Sequence, residues 1–502
     1  MQQNFSVLVD SVGNINYDDM ALSASLKNNG GIIDTLFKND AMLRKRECKN
    51  IFNNKIHCLL FFMDGMAKSE LVDESIAKPV IELPISDFGG DIIDFLAENV
   101  LYSGEIKKTA DVKELAEALI YGDTLVFAEG SEKALIVNSK GWQTRGIEQP
   151  ENEKTLRGPK EGFTESLLMN TGLLRRKLRT PDLKFETVTL GSRTNTCVCF
   201  CYLNSLVNRD VLRTLKNRIN KISIDGVLDT NYIDELIRDN PWTPFKTAGV
   251  TERPDVVAAR LLEGRIAVIA DGSPSVMTVP YLFVESLQSG DDYYINYYFS
   301  SVGRLLRFIS LFITVITPAF YIALVAFHKE MIPTNLALSI SEAREGVPFP
   351  ITVECILMLL VFEILRESGV RMPSNVGAAL STVGAIVIGQ AAVDAKFISA
   401  PMVIIVSVTG ITGIMVSKLK GVVIIYRFVL VLLASTLGMY GLIFGVMIMV
   451  AHAESLTSFG VRYTSFMSSG RIQEIKDIYI RFPWRFMKTR PYNIAKNLVR
   501  KG

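Results

Sequence analysis

Residues 305–327 read LLRFISLFITVITPAFYIALVAF, 23 positions whose single charge, Arg307, stands near the start. At about 1.5 Å per residue, a helix of this length crosses the roughly 30 Å hydrocarbon core of a bilayer. Pro318 inside it predicts a kink of the kind membrane helices accommodate. Further hydrophobic runs follow at 347–365, 376–393, 398–416 and 422–453. The last holds 32 residues against the roughly 17–25 that one crossing needs, so it reads as one tilted helix or as a pair bent near Gly438 and Gly441. Composition agrees: 49% of the 502 residues are hydrophobic and the mean hydropathy is +0.26, too apolar for an ordinary soluble chain.

The loops set an expected orientation. Arg304 and Arg307 precede the first run, Arg366 and Arg371 lie between the second and third, and Lys418 and Lys420 precede the last, so all three groups belong on the cytoplasmic side. Residues 454–502 hold ten Lys/Arg against three Asp/Glu, which places that basic tail inside as well and favours an even number of crossings, with 422–453 folding back. The first residues, MQQNFSVLVDSVGNINYDD, lack the basic and apolar regions of a signal peptide, so the first region is expected to stay cytoplasmic. Gln2 stands where myristoylation needs glycine, and no CaaX box is read. Six cysteines are too sparse for a disulfide framework. The 54 basic and 52 acidic residues nearly cancel, so no nucleic-acid partner is expected.

The first 300 residues alternate short β-rich runs, such as 56–63 and 196–203, with helical patterns such as 209–221. At a constant offset of 140, LLFFMDGMAKSEL (59–71) falls on CFCYLNSLVNRDV (199–211), and IIDFL (92–96) on YIDEL (232–236). The fold class expected is therefore a two-subdomain α+β or α/β soluble region followed by an all-α multi-span transmembrane domain. Its parts are 1–150, 151–299, 300–453 and a basic tail, 454–502, with the first boundary in the polar, turn-rich stretch near 145–160.

Polar groups inside the apolar runs are the candidate functional residues. Glu354 and Glu363 lie nine positions apart, about 900° of helix, and so face opposite ways. Glu363 stands three residues before Arg366 and reads as an interfacial ion pair; Glu354 reads as a pore-facing or inter-subunit carboxylate. Gly377, Ser381, Gly384 and Ala385 recur at helical spacing, with Gln390 beyond them, giving either tight helix packing or a narrow pore wall. Cys197, Cys199 and Cys201 alternate along a strand and read as core, because consecutive thiols on one face of a strand do not close a tetrahedral zinc site. Three histidines form no metal or triad constellation, 271–280 lacks the spacing of a phosphate-binding loop, and no cofactor or enzyme chemistry is expected. Arg175, Arg176, Lys177 and Arg179 read as a solvated helix face.

Five segments in one order carry a resemblance: TLRGPKEGFTESLLMNTGLLRRKLR, VTERPDVVAARLLEGRIAVIADGSPSVMTVP, EMIPTNLALSISEAREGVPFPITVE, FEILRESGVRMPSNVG and IGQAAVDA. From about 155 to 455 the chain closely resembles the GerA-type A subunit of spore germinant receptors. Matching motif positions are Glu252, Arg253, Pro254 and Asp255, then Glu263, Gly264, Asp271 and Gly272. Arg344, Glu345, Gly346, Pro348 and Pro350 match an external stretch, and Glu354, Glu363, Arg366, Arg371, Pro373, Gly389 and Gln390 match the membrane motifs. The chain departs from the family at Lys396, where a small residue is usual, and at the three cysteines, where aliphatics are usual.

The resemblance implies a subunit of the spore inner membrane that assembles with a transporter-like B subunit and a C lipoprotein. It further implies a homo-oligomer, a pentamer, acting as a nutrient-gated ion channel that starts germination by releasing cations. Two alternatives remain at this level: a paralogous spore membrane protein that supports ion release without sensing nutrients, or a soluble region that itself binds a ligand between two lobes above a membrane anchor.

Overall fold

The computed structural model describes residues 17, 20–85, 90–141, 153, 157–371, 389–465, 477–491, 494–496 and 499–500. The first subdomain runs α1 (Leu26–Leu36), β1 (Leu43–Lys49), β2 (His57–Met63), the short helices α2 (Ser69–Leu71) and α3 (Lys78–Glu82), α4 (Ile92–Asn99), β3 (Ile106–Thr109), α5 (Val112–Tyr121), β4 (Thr124–Ala128) and β5 (Ala134–Val137). The second runs α6 (Leu167–Lys177), β6 (Leu183–Leu190), β7 (Thr196–Leu203), α7 (Arg209–Ile219), α8 (Thr230–Ile237), β8 (Gly249–Thr251), α9 (Pro254–Leu262), β9 (Ile266–Ala270) and β10 (Val276–Val279).

Both sheets are antiparallel, in the orders β1-β2-β4-β5-β3 and β6-β7-β9-β10-β8, which correspond strand for strand. β1 and β6 begin at 43 and 183, an offset of 140, so the repeat read from the sequence is a structural repeat. Its punctuation recurs too. Asp91 and Asp229 cap α4 and α8 by accepting from Ile93 N at 3.0 Å and Asn231 N at 3.3 Å. After α5 and α9 stand Gly122 at φ +99° and Gly264 at φ +88°, where a Cβ would sit 2.7 Å from Met66 O and 2.8 Å from Leu206 O. Only glycine fits either turn.

One hydrophobic core joins the two sheets: Phe61, Phe127 and Ile136 from the first, Phe185, Cys201 and Ile269 from the second, with α1, α5, α6 and α9 between them. Separate clusters under α4 and under α7 and α8 cover the outer faces. Two lobes that share a core move as one body. Cys199 and Cys201 lie in that core, Sγ to Sγ 3.9 Å, as expected of packing thiols. The basic cluster corrects its sequence reading. Arg175 is fully buried and pairs with buried Asp40 of the first subdomain, donating also to Leu183 O at 3.2 Å, while Lys177 reaches Glu161 at 2.8 Å. Arg179 stays exposed and Arg176 and Lys177 are partly so; it is Arg175 that turns between the two sheets, away from solvent.

Beside that pair, Lys184 is buried and donates to Leu36 O at 2.8 Å. Burial, only partly offset by Asp40, pushes its ammonium down to about 8. A lysine with a folded pKa below its unfolded value makes the fold bind fewer protons, so this group adds stability as pH rises from about 8 towards the free-lysine value. The expected gain is about 1 kcal/mol between pH 8 and 9. Lys184→Met should flatten that rise in thermal unfolding of the full chain in detergent.

The rest is mainly helical: α10 (Tyr297–Phe327), α11 (Thr334–Ala343), α12 (Ile351–Arg371), α13 (Ala400–Met415) and α14 (Lys420–Ser455), followed by a two-stranded antiparallel pair, Thr457–Ser458 with Val461–Arg462. α10 and α14 are each long and apolar enough to cross a membrane. α14 reverses at Gly438, whose φ of 60° and ψ of −135° are non-helical. The Tyr426 hydroxyl bonds His452 Nδ1, 26 positions on, a separation that would be about 39 Å along a straight helix. A Cβ on Gly438 would lie 3.0 Å from Phe327 and His328 at the far end of α10. Gly438→Ala is expected to cost about 1–3 kcal/mol through backbone strain alone, read as a lowered unfolding temperature of the full chain.

Candidate functional site

Titratable residues concentrate at two levels: where the soluble repeat meets α10, and within the helical region. At the first, Pro254 starts α9 and Arg253 is its cap residue. Arg253 forks onto Asp255 at 3.1 and 2.7 Å and reaches Asp291 at 3.2 Å, and Asp255 also accepts from the Tyr294 hydroxyl at 2.7 Å. Burial alone would raise the Asp255 carboxyl, but the Arg253 and Tyr294 bonds outweigh it and hold it below the usual range.

Asp292 is the hub. It accepts from Arg304 Nε at 3.0 Å and from Arg307 at 2.9 and 2.8 Å, and Arg304 bonds the Asp477 carboxylate at 2.7 Å. Arg304 and Asp292 are both buried. Burial would lift Asp292, yet the two guanidinium groups keep its carboxyl low. A second knot ties Glu263 to Arg260 and Arg265, at 3.3 and 3.2 Å, and Glu285 to the same two arginines, at 2.9 and 2.6 Å. Between the knots lies a cavity of about 670 Å³ lined by Arg253, Asp255, Tyr281, Tyr294, Lys418 and Trp484 among others. The second subdomain, the head of α10, the turn before α14 and the chain after α14 all meet there.

Motif residues outside the knots serve the backbone. Glu252 O accepts from Phe163 N at 2.8 Å, Asp271 accepts from Leu167 N at 2.9 Å at the head of α6, and Gly272, at φ +87°, donates to Glu165 O at 2.8 Å.

In the helical region the two glutamates point apart, as their spacing requires. Glu354 is fully buried, and its Oε1 accepts from the Ser399 amide at 2.6 Å and from the Ser399 hydroxyl at the head of α13. Its Oε2 lies 3.7 Å from Arg344 in the 344–350 loop and makes no hydrogen bond. Glu363 pairs with Arg366 and also with buried Arg427 of α14. Arg371 pairs with Glu367 at 2.9 Å. Gly346, at φ +86°, packs on Lys396, and Gln390 is exposed beside buried Gly389. Glu345, Pro348 and Pro350 belong to the loop before α12. Ser381 and Pro373, with Gly377, Gly384 and Ala385, lie outside the described residues.

Sequence reasoning missed Asp292, Glu285, Asp477 and Ser399, and took Arg304 and Arg307 only as orientation charges. The available signal was the acidic pair Asp291–Asp292 within 16 positions of two arginines at a span's edge. Among the described residues no three His, Cys, Asp or Glu side chains converge to hold a metal.

A repeated antiparallel-sheet region locked through buried ion pairs onto long apolar helices defines a membrane protein with a large soluble part. The chain belongs to the GerA family of spore germination proteins, the A-subunit type of germinant receptor: the family model described as Bacillus/Clostridium GerA spore germination protein matches residues 31–493. It is 40% identical over 460 residues to Spore germination protein KA of Bacillus subtilis (strain 168), covering 91% of this chain and 84% of that one. It is likewise 40% identical over 453 residues to Uncharacterized membrane protein YfkQ of the same organism, 90% and 88% covered. To Spore germination protein GerLA of Bacillus cereus it is 34% identical over 456 residues, 90% and 92% covered. Among solved structures it is similar to the N-terminal domain of the A subunit of the Bacillus megaterium spore germinant receptor GerK3, at 27% identity and TM-score 0.39, covering 53% of this chain and 98% of that one. The family is one of receptors, not enzymes.

Proposed function

We propose that this chain is the A subunit of a nutrient receptor in the spore inner membrane, where several copies, five by family resemblance, enclose a cation path that opens when a nutrient is sensed. A transporter-like B subunit and a C lipoprotein complete the receptor. The division into 1–150, 151–299, 300–453 and 454–502 assigns the first two parts to the cytoplasm, the third to a multi-pass bundle and the last to a cytoplasmic tail. The observation that carries this reading is the Asp292 hub: a soluble body with one shared core is bonded directly to the first apolar helix, so a displacement of one is transmitted to the other.

Both ends of α14 lie on the soluble side, where Phe245 packs 5.8 Å from Tyr426 and 5.7 Å from His452. That supports an even number of crossings. Glu354, buried with one oxygen on Ser399 and the other 3.7 Å from Arg344, is the carboxylate we assign to the path or to a neighbouring copy. Ser381 and Gln390 stand in the apolar run 376–393, which we assign to line or close it.

Glu354→Gln keeps the acceptor for the Ser399 amide and removes the charge. In a receptor reconstituted with its partners, the variant should assemble and change nutrient-evoked cation flux by about tenfold, the effect of ~1.4 kcal/mol in a gating equilibrium. Unchanged flux from a fully assembled receptor would remove Glu354 from the mechanism.

A further inference from the structure

After α14 the chain returns to the junction and runs along the head of α10. Tyr479 stacks on Phe308 with ring centroids 4.6 Å apart, the Arg481 amide donates to the Ser301 hydroxyl at 3.1 Å, and Trp484 lies 5.9 Å from Tyr293. The path is an outward one, since Ser301 stands four residues, about 6 Å, before the apolar run begins at Leu305. Tyr479 therefore lies at the edge of the apolar run and Arg481 about 6 Å outside it, the depth of the lipid headgroups, and Trp484 follows where the segment reaches the rim of the junction cavity.

Its chemistry matches the depth. Residues 479–490, YIRFPWRFMKTR, hold four basic side chains and no acidic one, interleaved with aromatics. Arg481 turns inward, its guanidinium 5.2 Å over the Trp484 ring, while Trp484 and Phe486 are 57% and 59% exposed and Arg485 and Lys488 point to solvent. The exposed apolar surface of α10 continues to the same level through Phe299 and Tyr298. Trp242 is 93% exposed and stands three positions before Phe245, whose ring packs on Tyr426 and His452 near the two ends of α14. An indole left bare beside the point where helices leave hydrocarbon is what a headgroup layer covers.

We propose that residues 479–488, together with Trp242, form a lipid-facing belt that seats the soluble repeat on the membrane by binding anionic phospholipid headgroups. The belt rests on the reading of α10 as a membrane span. Aromatics enter the interface while Arg485 and Lys488 meet phosphate, and the same segment holds Asp477 against Arg304. The belt therefore grips the hub that couples the soluble body to α10.

The test uses the full chain in lipid nanodiscs with single tryptophans. W142F/W242F leaves Trp484 as reporter, W142F/W484F leaves Trp242, and F312W with all three native tryptophans replaced puts a control inside the span. Phospholipids brominated near the headgroup end of the acyl chain should quench both reporters. Quenching of Trp484 should be about twofold greater in phosphatidylglycerol than in phosphatidylcholine, and R485Q/K488Q should abolish that difference. If the F312W control is quenched but both reporters stay unquenched and open to iodide, the belt is wrong while the span stands. If the control is unquenched, the span reading fails and the belt with it. Equal quenching in both lipids overturns the anionic preference. Blue-shifted emission only after partner subunits are added assigns the surface to protein instead.

Discussion

Replacing Asp292 by Asn should cost the full chain about 3–5 kcal/mol, because it leaves two guanidinium groups, one of them fully buried, facing a neutral amide. Asn can accept one of the hydrogen bonds but supplies none of the charge. The loss should appear as a lowered unfolding temperature in detergent and as poor assembly with partner subunits. Pairing the change with Arg307→Met should recover part of it, since Arg307, only 21% exposed and without the second carboxylate that Asp477 gives Arg304, is then gone. The wild-type hub also sets an acid limit. Asp292 has a folded pKa below its unfolded one, so its contribution is complete above the usual carboxylate value and fades as pH falls through the lower folded value. D292N should lack that acid-dependent step, and an unaltered acid profile would show that the hub is not what holds the junction.

Glu363→Gln should be comparably damaging. Glu363 is the carboxylate shared by Arg366 and by Arg427, and Arg427 is 1% exposed on the apolar helix α14. Without it two like charges remain near the membrane level, at a cost of about 3 kcal/mol or more. E363M/R427M removes the charge and its deeper partner together and is expected to restore much of the yield of folded chain, because a buried pair replaced by apolar side chains is often neutral. If the double variant is no better than the single, the two residues do not act as a pair.

The parts of this fold that could be read in advance were periodic or local. The offset of 140 was visible because each half carries the same strand, turn and helix order, and β1 and β6 stand at that offset. The break in 422–453 was visible because glycine stands where one span should already have ended, and Gly438 is where α14 turns back. The Glu363–Arg366 pair was legible because it is local; the long-range partners were not, for a geometric reason. Arg304 meets Asp477 across 173 positions and Glu354 meets Ser399 across 45, and only the packed helices bring them together. Local reading misled at Arg175, where the basic run resembles a wet helix face until the first subdomain is set against it. The shared core is likewise a property of the pair: each half read alone predicts two lobes, and only their facing apolar surfaces merge them.

Cation efflux from vesicles bears most directly on the channel reading. Vesicles loaded with potassium and carrying the B and C partners should hold their content, and adding this chain should make efflux depend on one of a panel of nutrients. Efflux equal with and without the chain, or indifferent to every nutrient in an assembled receptor, would contradict that reading.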